Sequence, residues 1–307
     1  MTQPKKGRDT LKSARALKLL HKAAWATCAV WAITASPARA ASVTQTGANG
    51  ANGANATIAG APGKDAQPGG SATATVTSLD TYNSSVATGG NGGSGGSAID
   101  FAGIGGGAGN GGAGGTATAF VNVSGVSTNT GTLFYSNTSH GGNGGGAGKP
   151  GNYATVNSGP TAFGGRGGSA FTYGNISTTA TNGLQLGIVS IGGFGGSSFS
   201  GNNPLLPGNA GDGGDATVGP FTLSATNTRN VSLVQNAYGG AGGSQTAGTG
   251  RAGRGGNGGF ASILDSTAFN FKALQETEWV NFSFERAFSS VFPGLCRLSN
   301  DARIWHE

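Results

Sequence analysis

Residues 109–123 read GNGGAGGTATAFVNV, a stretch that contains the three features that recur along the chain. Glycine comes first, at a three-residue step through Gly109, Gly112 and Gly115. The second feature is a tag of the form Gly-Gly-x-Ala that ends at Ala117. After the tag, small apolar and polar residues alternate, which is typical of a β-strand with one buried face.

The tag occurs five times, and its second glycine returns after 45, 53, 46 and 45 residues. The five tags are Gly69-Gly70-Ser71-Ala72, Gly114-Gly115-Thr116-Ala117, Gly167-Gly168-Ser169-Ala170, Gly213-Gly214-Asp215-Ala216 and Gly258-Gly259-Phe260-Ala261. A repeat of this length predicts an array of one supersecondary unit rather than a fold around one central core.

Each tag closes a block in which glycine keeps its three-residue step, and 47–55 spells Gly-Ala-Asn three times over. A polyproline-II strand turns once in three residues, so a stripe of glycine lets neighbouring backbones come into contact. The alternative is a flexible or disordered low-complexity tract, because each ordered glycine costs about 0.5–1 kcal/mol relative to alanine. Steady spacing of the tags favours order.

These patterns predict an all-β fold, because Gly, Thr, Ser and Asn oppose helix formation throughout 41–260. The expected architecture is a repetitive, right-handed β-solenoid-like array with glycine-rich, polyproline-II-like connections. Two alternatives stay open, namely packed polyglycine-II-type helices and a partly disordered low-complexity chain.

Residues 1–40 are predicted to form a secretory signal peptide. Seven basic residues precede an apolar stretch over 23–35, and the Ala-Arg-Ala sequence at 38–40 places the cleavage site after Ala40. Cleavage removes eight of the eighteen basic residues and one of the twelve acidic ones, which leaves ten bases against eleven acids. The remaining chain is close to neutral, so its charge gives no reason to expect nucleic-acid binding. Cys296 is then the only cysteine, and an internal disulfide is excluded.

The chain therefore divides into the signal over 1–40, a glycine-rich region of about five units over 41–260, and a tail over 261–307. In the tail, glycine disappears except at Gly294, and aromatic residues become frequent. Because arrays need an atypical end to cover their last open edge, we expect this segment to form a C-terminal cap or tail.

No catalytic residue, cofactor-binding residue or metal ligand is predicted, and the protein is not expected to be an enzyme. His140 and His306 have no partner at the spacing of a metal site or a nucleophile relay. Between 41 and 260 the only acidic residues are Asp65, Asp80, Asp100, Asp212 and Asp215. Acid and base catalysis on a polysaccharide needs clustered carboxylates, and this supply is thin.

Three glycine-containing stretches also do not match the functional motifs that they resemble. A phosphate loop around Gly148-Lys149 lacks its first glycine and its final Ser/Thr, since Asn143 and Pro150 stand there. The sequence Gly211-Asp212-Gly213-Gly214-Asp215 departs from the tandem calcium nonapeptide, which favours an exposed turn. Arg166, Arg251 and Arg254 are too few for an RNA-binding RGG segment.

The basic signal, the Ala-Arg-Ala-Ala cleavage region and the Gly-Gly-x-Ala-x-Ala strand starts resemble the passenger region of a bacterial autotransporter or a related surface adhesin. The resemblance covers about residues 1–260 and implies export, a long right-handed β-solenoid and a role in adhesion. The chain departs from that family in lacking the C-terminal barrel, which suggests a fragment or a partner-dependent route. Its glycine blocks also resemble those of PGRS-type surface proteins.

The resulting hypothesis is a noncatalytic, secreted or cell-surface repeat protein that mediates adhesion or aggregation. Its expected partners are host or cell-surface molecules, further copies of itself, or an outer-membrane translocator, without nucleic acid or small-molecule substrate. Two alternatives remain. One is a structural or ice-binding protein that uses Thr73, Thr75, Thr77, Thr116 and Thr118 as a regular surface. The other is a β-helical carbohydrate-active enzyme, which clustering of Asp212 and Asp215 with other carboxylates would favour.

Overall fold

The computed structural model describes residues 40–99, 106–127, 131–151, 162–179, 183–199, 208–226, 231–246, 253–264 and 267–270. In these ranges the chain forms strands and no α-helix, as the composition predicts. The strands are β1 (Ala40–Thr46), β2 (Ala72–Val76), β3 (Tyr82–Thr88), β4 (Ala117–Val126), β5 (Thr132–His140), β6 (Ala170–Thr179), β7 (Gly183–Ile191), β8 (Ser198–Phe199), β9 (Ala216–Thr226), β10 (Val231–Tyr238), β11 (Gln245–Thr246), β12 (Ala261–Ile263) and β13 (Thr267–Asn270).

Two parallel sheets account for most of the strands. Sheet A has five strands in the order β1-β3-β5-β7-β10, and sheet B has six, in the order β12-β9-β6-β4-β2 with β13 paired to β9. Strands β8 and β11 form a separate parallel pair. Neighbours within each main sheet are therefore equivalent segments of successive repeats, as expected for an array of one supersecondary unit.

Each repeat unit contains one strand of sheet A, two glycine blocks and one strand of sheet B, in that order along the chain. The blocks that follow sheet A form layer A, and those that precede sheet B form layer B. Layer A consists of 47–55, 89–97, 141–149, 192–197 and 239–244. Layer B consists of 62–70, 106–115, 162–169, 208–215 and 253–260.

Every tag ends on the first residue of a sheet B strand. The five tag alanines are Ala72, Ala117, Ala170, Ala216 and Ala261, which are all buried and paired to one another in register. The tag therefore marks where a glycine block becomes a strand with one buried face.

The three backbone amides of a glycine triplet point in three different directions. The first glycine of a triplet donates within its layer, as Gly92 N–H does to Asn143 O at 2.8 Å. The second donates to the other layer, as Gly93 N–H does to Gln67 O at 3.0 Å. The third amide, that of the non-glycine residue, points outward. Backbone pairing thus repeats every three residues, in the step that the sequence shows.

Buried apolar side chains of both sheets pack into two clusters. The larger one has Phe221, Leu133, Ile176, Leu184 and Ile188 as its largest fully buried members. The smaller one consists of alanines, namely Ala72, Ala74, Ala87, Ala117 and Ala119. Beside them, the buried hydroxyl groups of Ser139, Thr172 and Ser190 lie 2.7–2.9 Å from one another. Both clusters therefore lie in the strand half of each unit, because the glycine blocks have few side chains to bury.

The segments predicted from the sequence lie only partly within the described residues. Strands β12 and β13, at the start of the predicted tail, belong to sheet B. The signal up to residue 39 and the tail after residue 270 lie outside the described residues, as do Asp100, Arg251, Cys296 and His306. Within the described ranges, we found no helix that is both long and apolar enough to cross a membrane.

Candidate functional site

Parallel pairing in register aligns side chains of sheet A into columns that cross the strands. One outward column contains Ala40, Tyr82, Phe134, Gln185 and Ser232. The next outward column contains Ser42, Ser84, Ser136, Gly187 and Val234. Because side chains alternate between faces, both columns lie on the side of the sheet away from the core.

These two columns line a groove of about 450 Å³ on the outer face of sheet A. The rings of Tyr82 and Phe134 stack along its side, with centroids 4.9 Å apart and planes 7° from parallel. The adjacent column is low because it is made of serine, glycine and valine, so the aromatic rings stand above it. We call this depression the sheet A groove.

The lining combines apolar surface with neutral hydrogen-bonding groups. It includes the hydroxyl groups of Ser42, Ser84 and Ser136 and the amide of Gln185, with no Asp, Glu, His, Lys or Arg among its described residues. Tyr82 is 51% exposed, and on the side away from Phe134 its neighbour is the small residue Ala40. One face of the tyrosine ring is consequently open to a ligand.

Tyr135 anchors the strand that carries Phe134. Its hydroxyl donates to the carbonyl oxygen of Ser78 at 3.0 Å, while Ser78 Oγ donates to Asp80 Oδ2 at 2.7 Å. Burial, and secondarily the negative charge of Asp80, raise the pKa of the Tyr135 hydroxyl well above its usual range. The phenol therefore stays protonated and keeps its hydrogen bond over the whole physiological range of pH.

Sheet B presents a second aromatic pair on its outer face. The rings of Phe120 and Tyr173 lie 4.8 Å apart and are tilted by 38°, and Tyr173 is 39% exposed. These rings interrupt the threonine surface expected from the sequence. Thr73 pairs with Thr118, but Thr75 pairs with Phe120. On the next strand, β6, the residue that pairs with Thr118 is Phe171. Thr77 lies beyond the end of β2.

The acidic residues of the glycine layers bind backbone amides of the next unit. Asp212 Oδ1 accepts from the amide of Asn257 at 2.7 Å, and Asp215 Oδ1 accepts from that of Phe260 at 2.9 Å. Asp215 also forms an ion pair with Arg166 at 3.2 Å. In the part of the chain that the structure describes, no three His, Cys, Asp or Glu residues cluster as metal ligands.

Asparagine performs the same task in layer A, a role that sequence reasoning missed. Asn49 Oδ1 accepts from the backbone N–H of Asn91 at 2.9 Å, and Asn91 Oδ1 accepts from the backbone N–H of Asn143, also at 2.9 Å. Each outward amide of a triplet would otherwise depend on water alone. The sequence signal for this role is Asn or Asp at the third position of triplets in successive blocks.

The remaining residues singled out in the sequence are dispersed. Burial lowers the pKa of His140, which lies half-buried at the end of β5. The amide of Gly148 donates to Gly109 O at 2.9 Å, so it is not free to hold a phosphate. Lys149 lies over the ring of Phe199, with Nζ 5.9 Å from the centroid.

Comparison with known proteins identifies no relative that informs function. No protein-family model matches the chain, and no curated protein matches it. Among solved structures, a springtail antifreeze protein from Granisotoma rainieri, a nine polyproline type II helical bundle, aligns over 73% of this chain and 97% of its own. The alignment has 20% sequence identity and a TM-score of 0.13, so no argument about fold or function rests on it.

Proposed function

We propose that this protein is a noncatalytic, secreted or cell-surface repeat protein of the adhesin type, and that the sheet A groove is its contact site. The observation that carries the proposal is the stacked Tyr82–Phe134 pair beside a low, neutral column of small residues. A concave, largely apolar surface with a few polar groups is the usual form of a ligand site.

The ligand that fits this lining is a neutral glycan. Sugar rings have apolar C–H faces that stack on aromatic rings and hydroxyl groups that bond to serine and amide side chains. The open face of Tyr82 and the hydroxyl groups of Ser84 and Ser136 offer both kinds of contact. A strongly charged ligand would lose its hydration without an ionic partner in the described lining, which is unfavourable.

A binding assay with matched variants tests this site. Immobilised neutral hexose oligosaccharides would be titrated with the wild-type protein, Tyr82→Ala and Tyr173→Ala, since Tyr173 is an exposed tyrosine paired with a phenylalanine on the other sheet. We expect Tyr82→Ala to weaken binding roughly tenfold, or about 1.4 kcal/mol, and Tyr173→Ala to leave it unchanged. Equal effects of the two substitutions, or no binding by the wild type, would refute the glycan proposal.

The adhesion role has a separate test in cells. Deletion of the gene should reduce attachment or cell aggregation, and the wild-type gene should restore it while the Tyr82→Ala gene should not. Unchanged attachment after deletion would reject the adhesin proposal even if the purified protein binds a glycan.

We further propose that the repeat units form a right-handed β-solenoid whose glycine arms adopt polyproline-II-like helices. Parallel pairing of equivalent strands and the three-residue step of the glycine bonds support this arrangement. A circular dichroism spectrum without a polyproline-II contribution would contradict the glycine arms, and an experimental structure would determine the hand.

Export is proposed from the sequence alone, with signal cleavage near Ala40 and display at the cell surface or outer membrane, where a translocator is an expected partner. Amino-terminal sequencing of the exported protein checks the cleavage site. Recovery of an uncleaved protein from the cytosol would contradict this proposal.

A further inference from the structure

The second position of each glycine triplet faces the preceding unit of its own layer. A Cβ atom added to Gly93 would meet the carbonyl oxygen of Ala51, and one added to Gly145 would meet that of Gly93. Layer B follows the same rule, because a Cβ atom on Gly112 would meet the carbonyl oxygen of Gln67. Any side chain at this position would thus occupy the space of the preceding backbone.

The first unit departs from this rule at five exposed positions, and also at the half-buried Ala61, which stands where the next unit has Gly106. Its layer A block has Ala48, Ala51 and Ala54 where the next unit has Gly90, Gly93 and Gly96. Its layer B block has Lys64 and Gln67 where the next unit has Gly109 and Gly112. All five residues are exposed, and they lie at the end of the glycine layers where the described residues include no earlier unit.

The backbone at this end is otherwise suited to continued stacking. Cross-layer bonds run in an unbroken series in which Gly70 N–H donates to Ala48 O, Gly90 N–H to Gly70 O, and so on to Gly259 N–H, which donates to Gly240 O. The series begins at an unused Ala48 amide and ends at an unused Gly259 carbonyl among the described residues. The two ends of the glycine layers are therefore complementary in hydrogen bonding.

We propose that side chains of the first unit prevent a second copy of this chain from stacking on it. These side chains are those of Ala48, Ala51, Ala54, Lys64 and Gln67. If the last unit of one copy stacked before the first unit of another, Ala51 would take the place that Gly243 has against its predecessor, where a Cβ atom would meet the carbonyl oxygen of Gly196. Side chains at these positions prevent head-to-tail growth of the glycine layers.

Replacement of these side chains by hydrogen tests the proposal. The variant Ala48→Gly, Ala51→Gly, Ala54→Gly, Lys64→Gly and Gln67→Gly would be compared with the wild-type chain by sedimentation velocity over a hundredfold range of concentration. We expect the variant to form dimers and longer linear oligomers as concentration rises, and the wild type to show no such growth through this end.

A second variant separates loss of the Cβ atoms from a general change of sequence. Ala48→Ser, Ala51→Ser and Ala54→Ser keep the Cβ atoms and should behave like the wild type. If the five-glycine variant does not fold, the three alanine positions alone are changed to glycine and judged by the same criterion. A folded glycine variant that stays monomeric overturns the proposal, as do wild-type oligomers in which cross-links join the first unit to the last.

Discussion

One methyl group decides whether a residue fits within a glycine block. Gly145 lies at the second position of its triplet and donates to Gly112 O at 2.8 Å. A Cβ atom there would overlap the carbonyl oxygen of Gly93, which is held by its own hydrogen bond from Gly112. Gly146 is the next residue, and its added Cβ atom would meet only Ser197 Oγ at 3.3 Å and Ser197 O at 3.8 Å.

We therefore expect Gly145→Ala to lower the free energy of unfolding by about 3 kcal/mol or more, because the overlap can be relieved only by moving backbone. Gly146→Ala should change it by less than about 1 kcal/mol, since the side chain of Ser197 can rotate away. Urea unfolding followed by circular dichroism measures both values. Equal stability of the two variants would contradict the close packing of the layers.

The alternation of buried and exposed side chains along the strands was predictable from the sequence, because it is visible in residues that are adjacent in the chain. The tag ends on the alanine that starts each sheet B strand, and Thr116 to Val123 shows the alternation that β4 adopts. Apolar runs such as Leu184 to Ile191 likewise coincide with a strand. Local pattern was sufficient here because a half-buried strand has a period of two.

The sheet A groove could not be predicted in this way. It depends on Tyr82 pairing with Phe134 and Ser84 with Ser136, partners that are far apart in the chain. Their alignment is fixed by the lengths of the connections between the strands, which vary among the units. The asparagine and aspartate acceptors of the glycine layers were overlooked for the same reason, since each serves the unit that follows.

Where sheets A and B meet, three hydroxyl groups replace apolar contacts. Thr172 in β6 lies 2.7 Å from the hydroxyl of Ser139 and donates to Val189 O at 3.0 Å. Ser190 in β7 donates to Thr217 O at 2.8 Å. The group links strands of both sheets at a position where all three side chains are buried.

Thr172→Val keeps the shape of the side chain and removes its hydroxyl, which leaves buried polar partners unpaired. We expect a loss of about 1–3 kcal/mol in the free energy of unfolding. The control is Thr73→Val on the outer face of β2, where the side chain is exposed and the change should stay within about 0.5 kcal/mol. Thermal and urea unfolding provide the measurement, and a Thr172→Val protein as stable as the control would refute the role of this group.

At the scale of the whole repeat region, each unit bonds to the units before and after it in both layers. The cross-layer series from Ala48 to Gly259 passes through every unit, and no bond in it skips one. Stability in such an array is a sum of terms for units and for the interfaces between neighbours. A unit removed in register should therefore leave its neighbours able to stack directly.

Deletion of residues 90–141 meets that condition. It joins Gly89 to Gly142, which takes the place of Gly90, because an added Cβ atom on Gly142 would meet Gly90 O just as one on Gly90 would meet Ala48 O. All remaining connections between strands and blocks keep their native lengths. We expect a folded protein with one cooperative transition and lower stability, measured by circular dichroism and thermal unfolding.

Deletion of residues 90–142 provides the control, because it removes only one residue more. It places Asn143 at the position of Gly90, where its Cβ atom would overlap the carbonyl oxygen of Ala48. No loop lies between β3 and the glycine block to absorb the shift, so every later triplet in that block is one residue out of step. This chain should fail to fold in the unit that joins β3 to the block beginning at Asn143, and equal folding of the two deletions would show that the three-residue register does not govern stacking.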